Sequence, residues 1–216
     1  MKKLFKKYWH GLFALYIFIY LPWFIYLEKN VTEYHIIHCP LDDYIPFNEY
    51  FIIPYLLWFF YVAGAVIYLF FKAPRGEFLK FAVTLISGMT ISLIICTVYP
   101  NGLELRPDVI NKDTVFTRLV AMLYGTDTST NVFPSIHVFN SLVVHFALMR
   151  DKFLDNYPIV KTGSKILCVL ILLSTLFLKQ HSVIDLVGGI VLYIVLYLIV
   201  YAPEWKLFSD KQVIME

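Results

Sequence analysis

Charged residues are scarce in this chain. Only 16% of its 216 residues are Asp, Glu, Lys or Arg, whereas 59% are hydrophobic and 18% are aromatic. A soluble domain of this length does not need so much apolar surface for its core. The formal net charge is +2, and the basic residues fall in short clusters between apolar runs. This pattern predicts no nucleic-acid partner, and we expect an integral membrane protein.

Cysteine is equally scarce. Cys39, Cys96 and Cys168 are far apart, form no C-x2-C pair and are odd in number. They therefore predict neither a disulfide framework nor a zinc site. Internal repeats, low-complexity tracts and long linkers are absent as well, so we expect a single domain over residues 1–216.

Long apolar runs dominate what is present. A membrane-spanning helix needs about 17 to 25 apolar residues. Admitting two shorter windows, we expect six transmembrane helices, near residues 11–27, 50–71, 81–99, 135–149, 165–178 and 183–202. The fourth and fifth adjoin polar stretches, which predicts that they end at a hydrated cavity. The expected fold class is an all-α, polytopic membrane protein with one six-helix domain.

The segment after the third span is too polar to cross a membrane. Within it, Val115 to Tyr124 carries apolar residues at helical spacing. We expect a short interfacial helix there. The loop of residues 28–49, which precedes the second span, is expected on the same side of the membrane.

Basic residues are distributed asymmetrically between the two sides of such a bundle. The segments that include both termini, with Lys165 at their edge, contain 13 of the 18 Lys and Arg residues. By the positive-inside rule, both termini are cytoplasmic and the regions around Arg106, His137 and His181 face outward. We expect a multi-pass protein of the cell membrane with an extracytoplasmic site.

His181 and Asp185 place an imidazole and a carboxylate at the start of the sixth span. Residues four apart share a helix face, so the carboxylate can accept one ring N–H and orient the other nitrogen. An oriented histidine is a candidate nucleophile or base. A hydrogen bond that only joins helix ends is the alternative, but Asp185 lies in an apolar run where an unpaired carboxylate is costly.

A second polar stretch surrounds His137. A helix capped by Thr130 or Asn131 would present the backbone N–H groups of Ser135 and Ile136, and such a helix start binds anions. His137 lies about one turn inside, close enough to exchange a proton with a group bonded to that anion. A capped helix with an interfacial histidine fits these residues equally well.

Two cations accompany the histidines. Lys179 lies just outside the sixth span, and Arg106 follows the third span, where a guanidinium could bind phosphate oxygens in bidentate fashion. A lone arginine contacts lipid headgroups as readily. In the company of two histidines, however, these cations indicate a phosphate site.

Three blocks of this chain, within residues 99–189, resemble those of the type 2 phosphatidic acid phosphatase superfamily. The superfamily blocks read K-x6-R-P, P-S-G-H and S-R-x5-H-x3-D, and their order and six-span setting agree as well. The residues that match are Arg106, Pro107, Pro134, Ser135, His137, Ser174, His181 and Asp185.

Three positions depart from the blocks. Tyr99 stands at the lysine position, Ile136 at the glycine position and Thr175 at the second arginine position. Lys179 lies one helical turn beyond Thr175, and we hypothesise that it replaces that arginine. The bulky residue before the histidine also makes the chain similar to the lipid phosphotransferases that synthesise inositol phosphorylceramide.

The resemblance implies roles for six residues. His181 would be the nucleophile that forms a phosphohistidine, Asp185 its orienting partner and His137 the general acid. The phosphoryl oxygens would be held by Arg106, Ser135 and Lys179. No metal or other cofactor is expected, because cations and helix N-termini can supply the charge stabilisation.

Three functions therefore remain open. The first is a phosphatase that hydrolyses a lipid phosphate monoester or prenyl pyrophosphate. The second is a lipid phosphotransferase, which would pass the group to a lipid alcohol. The third is an inactive lipid-binding or transport protein. In each case the expected partner is a membrane lipid phosphate. The sequence does not indicate how many copies of the chain associate.

Overall fold

The structure, a computed structural model, describes residues 9–107 and 113–202. In these ranges the chain forms eight α-helices: α1 Ile17–Asn30, α2 Pro40–Tyr44, α3 Ile52–Lys72, α4 Arg75–Val98, α5 Val115–Thr126, α6 Ile136–Arg150, α7 Pro158–Phe177 and α8 Val183–Tyr201. Short 3₁₀ turns lie at Trp9–Tyr16, Glu49–Phe51 and Phe153–Asn156. The expected fold class, an all-α membrane protein, is confirmed.

Four of the six predicted spans are long and apolar enough to cross a membrane. They are α3 with its preceding 3₁₀ turn, α4, α7 and α8. The six-span prediction is not confirmed, because α6 has 15 residues and α1 has 14. Each is thus about 22 Å long or less, against a hydrocarbon thickness of about 30 Å.

Helix α7 is longer than the predicted fifth span. The fifth span was expected at 165–178, but α7 begins at Pro158, which is its first residue and suits the first turn of a helix. The first half of α7 contains polar residues, so it does not form part of a long apolar run. The short helix expected from Val115 to Tyr124 is present as α5, Val115–Thr126, and is capped by the Thr114 side chain.

Helix α6 is the centre of the bundle and packs against α3, α4, α7 and α8. Gly88 of α4 allows one close approach, because a Cβ there would lie 2.0 Å from the Phe139 ring. Gly189 of α8 allows another, because a Cβ there would lie 2.7 Å from the main-chain oxygen of Ser135. Both contacts bring neighbouring helices onto the first turn of α6.

The loop before α3 folds over the end of the bundle at which α6 and α8 begin. Its strand β1 (His35–Ile36) pairs in parallel with β2 (Asn101–Gly102). In α2, Asp42 accepts hydrogen bonds from Ser182 Oγ at 2.6 Å and Val183 N at 2.8 Å. Asp42 therefore fixes this loop to the N-terminus of α8.

Some of the sequence predictions lie outside the described residues. These include the placement of the lysines near both termini and of Lys112.

Candidate active site

His137 and His181 meet at the end of the bundle. His137 is the second residue of α6, and His181 lies in the turn between α7 and α8. Both are buried, and His181 Nε2 is 3.4 Å from His137 Nδ1. The two predicted catalytic histidines, 44 residues apart in sequence, thus form a contacting pair.

Asp185 lies on the far side of the His181 ring. Its Oδ2 is 3.4 Å from His181 Nδ1 and accepts a 2.8 Å hydrogen bond from Ser182 N, which caps α8. Asp185 is fully buried, and its Oδ1 has no hydrogen-bond partner among the described residues. This carboxylate can keep the proton on Nδ1, so that Nε2 faces His137 with its lone pair.

Arg106 approaches from the loop after α4. Its Nη1 donates to the Tyr124 main-chain oxygen at 3.2 Å, and its Nη2 donates to that of Asp127 at 2.6 Å. Nη2 also donates to Gln180 Oε1. Burial lowers the pKa of Arg106, while the negative charge of Asp127 opposes the shift. An arginine remains charged under these conditions.

Four residues of the site were not predicted from the sequence: Tyr55, Trp58, Asp127 and Gln180. Tyr55 of α3 donates to Asp127 Oδ2 at 2.6 Å, and Gln180 Nε2 lies 3.4 Å from the same oxygen. The rings of Tyr55 and Trp58 lie 4.7 and 4.3 Å from the His137 ring. Of these, only Gln180 had a signal in the sequence, because it is adjacent to His181.

A small cavity of about 40 Å³ opens between these groups. His137, His181 and Gln180 line it on one side, and the carboxylates of Glu28 and Asp127 line it elsewhere. The site thus combines a buried histidine pair, one partly buried guanidinium and several carboxylates, which is an arrangement suited to nucleophilic and acid–base chemistry.

A family model described as the PAP2 superfamily matches residues 78–208, which is more than half of the chain and contains all three sequence blocks. The chain belongs to the PAP2 superfamily. Comparisons with curated proteins and with solved structures gave no significant match. Membership indicates phosphatase- or phosphotransferase-type activity on lipid phosphates.

The two positions where PAP2 blocks carry other cations have structural roles in this chain. Tyr99 is exposed, and its ring stacks on that of His35 with 4.4 Å between centroids. Thr175 is buried, and its main-chain oxygen accepts from both Gln180 N and His181 N at 3.0 Å. Thr175 therefore shapes the turn that presents His181.

Ser135 and Lys179, which were expected to bind phosphate, are held in place by hydrogen bonds to main-chain atoms. Ser135, expected to present a free N–H, donates that N–H to the Asp185 main-chain oxygen at 3.1 Å, and its Oγ caps α6. Lys179 is buried, and its Nζ donates to the Asp42 main-chain oxygen at 2.7 Å. It is not among the residues that line the cavity.

Thr130 and Asn131, expected to cap α6, instead belong to a cluster with Glu28. Asn131 Nδ2 donates to Glu28 Oε1 at 2.8 Å, and Thr128 donates to Oε2 through its N–H and its hydroxyl. The backbone of Asn131 has a φ of 58°, a conformation that asparagine tolerates better than most residues. The capping prediction is wrong because Ser135 is nearer to the helix start.

Proposed function

We propose that this PAP2 protein is a metal-independent lipid phosphatase that hydrolyses a lipid phosphate monoester or prenyl pyrophosphate through a phosphohistidine. The observation that carries this proposal is the contact between His181 and His137, with the Asp185 carboxylate behind His181. A nucleophile, an orienting carboxylate and a second proton carrier are the groups that such a mechanism needs.

In the first step, His181 Nε2 attacks phosphorus, so that an N–P bond forms while the P–O bond to the lipid alcohol breaks. His137 gives its proton to the departing oxygen. Asp185 stabilises the positive charge that develops on the His181 ring. In the second step, His137 takes a proton from water, the water oxygen attacks phosphorus, and the N–P bond breaks to release phosphate.

Substrate must separate the two rings. Phosphoryl transfer places the attacking and leaving atoms on opposite sides of phosphorus, so the phosphoryl group lies between His181 and His137. Their nitrogens are 3.4 Å apart in the free protein, which leaves no room for that group. We therefore expect the rings to move apart when a lipid phosphate binds.

Charge stabilisation would come from Arg106 and from the first turn of α6. Arg106, like Lys179, is not among the residues that line the cavity, but its Nη2 donates to Gln180, which lines it. The Nε of Arg106 has no partner among the described residues, so it has a donor to spare. Ile136 and His137 are the first two residues of α6, and N–H groups there have no carbonyl within the helix. Ser135 and Lys179 would act by holding the two helix starts in position.

A phosphotransferase is the second candidate, and the Glu28 and Asp127 carboxylates favour it. Both line the cavity beside the histidines. Carboxylates accept hydrogen bonds from hydroxyl groups and repel a phosphate dianion. They would suit an acceptor alcohol that replaces water in the second step. Phosphate release with and without added lipid alcohol separates the two activities.

The decisive experiment is to trap the intermediate. Purified protein is mixed with ³²P-labelled phosphatidic acid or prenyl pyrophosphate, with and without EDTA, and quenched in base. We expect an acid-labile, base-stable phosphoprotein in wild type and none in His181→Gln. His137→Gln should form it slowly, and the exposed His38→Gln should match wild type.

Two outcomes would contradict the proposal. Equal labelling of wild type and His181→Gln would exclude His181 as the nucleophile. Absence of phosphate release, transfer and labelling with every lipid tested would leave an inactive lipid-binding protein as the function.

We propose that the protein lies in the cell membrane, with both termini in the cytoplasm and the site on the extracytoplasmic side. Tyr44 is 82% exposed in α2, near the site. Tyr44→Cys in a background without the native cysteines should react with a membrane-impermeant maleimide in intact cells. Labelling only after cell lysis would reverse this topology.

A further inference from the structure

A long apolar cavity lies between α1 and α3. Its volume is about 590 Å³, and the 3₁₀ turn Trp9–Tyr16, α4 and Asn140 of α6 supply the rest of its lining. Along α3 it runs from Trp58 to Phe71, which is about 20 Å of helix axis. Exposed lining residues such as Leu21, Phe59 and Ile67 show that the cavity opens on the lipid-facing surface.

One end of this cavity adjoins the histidine pair. Trp58 lines the cavity, and its ring centroid is 4.3 Å from that of His137. Asn140 lines it as well and follows His137 by three residues on α6, so both side chains lie on the same face of the helix. A molecule with its phosphate at His181 could extend a chain into this space.

Two residues that line the cavity each carry a buried polar atom without a partner among the described residues. Trp58 Nε1 and Asn140 Oδ1 make no hydrogen bond within the described part of the chain, and these residues are only 8% and 2% exposed. An unpaired polar group in such a place is costly. One atom is a donor and the other an acceptor, so a group that both accepts and donates would satisfy them.

We propose that this cavity binds a hydrocarbon chain of the lipid phosphate substrate, and that Trp58 and Asn140 bind an amide or hydroxyl group between that chain and the phosphate. The proposal rests on the proposed function, which places the phosphate at His181. A secondary amide or a hydroxyl both donates and accepts, whereas an ester only accepts and a prenyl chain does neither. The substrate class is therefore an N-acylated or hydroxylated lipid phosphate.

Binding tests the cavity without requiring turnover. In the His181→Gln background, retention of radiolabelled ceramide 1-phosphate by the purified protein is compared for Ala63→Trp and Phe60→Trp. Ala63 lines the cavity, whereas Phe60 is 76% exposed on the same helix and does not. We expect Ala63→Trp to weaken retention at least tenfold and Phe60→Trp to leave it unchanged.

Equal retention by the two variants would overturn the cavity assignment. If Ala63→Trp is not monodisperse in gel filtration, Ile86→Phe fills the same cavity from α4 and carries the same expectation.

Substrate preference tests the polar pair. The values of kcat/KM are measured for ceramide 1-phosphate, phosphatidic acid and farnesyl phosphate. We expect wild type to prefer the amide lipid and Asn140→Leu to reduce that preference about tenfold, which is the effect of one hydrogen bond. An unchanged ratio would overturn the role of Asn140. Absence of phosphate release from all three lipids would refute the phosphatase function, while the binding experiment would still decide the cavity.

Discussion

Two histidines of α6 lie in different surroundings. His137, at the start of the helix, contacts His181, which in turn faces Asp185. His145, eight residues later, is 3.0 Å from Ser164 Oγ, and that hydroxyl is 2.7 Å from Tyr61 OH. One histidine thus belongs to a network with a buried carboxylate, and the other to a network of neutral hydroxyls.

Residue type and helix position therefore do not by themselves suit a histidine to catalysis. A hydroxyl network satisfies the ring of His145 but supplies no charge to stabilise an imidazolium. The carboxylate behind His181 supplies that charge, and the cavity beside His137 gives a reacting group somewhere to bind. Substitutions in either network test this contrast.

The largest effect is expected from Asp185→Asn, which makes the His181 network neutral like that of His145. The amide oxygen can still accept from Ser182 N, so the cap of α8 is kept. We expect kcat to fall roughly 10²- to 10⁴-fold, because the orientation and charge stabilisation of His181 are lost. Steady-state phosphate release measures this, and near-normal kcat would exclude Asp185 from the mechanism.

An intermediate effect is expected from Asp42→Asn, which loosens the site without touching the histidines. Burial raises the pKa of Asp42, but hydrogen bonds from Ser182, Val183 and Cys39 outweigh it and hold this pKa below its ordinary value. An amide has one oxygen to accept these bonds, so we expect a loss of about 1–3 kcal/mol in the free energy of unfolding.

The pH dependence of that loss has a definite sign. Because the folded pKa of Asp42 is lowered, its stabilisation is present above the ordinary value of about 3.9 and is lost as pH falls through the folded pKa. The difference in Tm between wild type and Asp42→Asn in detergent should therefore be full at pH 7 and shrink below about pH 4. A difference independent of pH would contradict this account.

The smallest effect is expected from His145→Gln. The hydrogen bond between Tyr61 and Ser164 remains, so the free energy of unfolding should change by about 1 kcal/mol. We expect kcat within twofold of wild type, measured in the same assay as Asp185→Asn. A loss of activity comparable with that of Asp185→Asn would erase the distinction between the two networks.

The sequence predicts the parts of this molecule that depend on local pattern. Long apolar runs located α3, α8 and the part of α4 from residue 81 onward. The spacing of His181 and Asp185 predicted their contact, although His181 lies in the turn before α8 and does not share a helix face with Asp185. The start of α7 was missed because polar residues such as Lys161 interrupt its first half. A helix at a membrane surface need not be apolar throughout.

Contacts between distant segments could not be read from that pattern. Tyr55, Asp127 and Glu28 enter the site from three different elements, and no periodicity relates them. Lys179 illustrates the same difficulty, since its charge and position suggested a phosphate ligand, whereas its partner is Asp42, 137 residues earlier. Only the fold decides which of several possible partners a cation meets.

The contact between Asp42 and Ser182 also bears on how the protein is made. The two residues are 140 positions apart, and a contact of such sequence separation forms late, after the intervening chain has been ordered. A nascent chain that ends after α7 still lacks His181, Asp185 and the partner of Asp42. If the proposed mechanism holds, a product truncated before α8 would therefore be unable to attack the lipids around it.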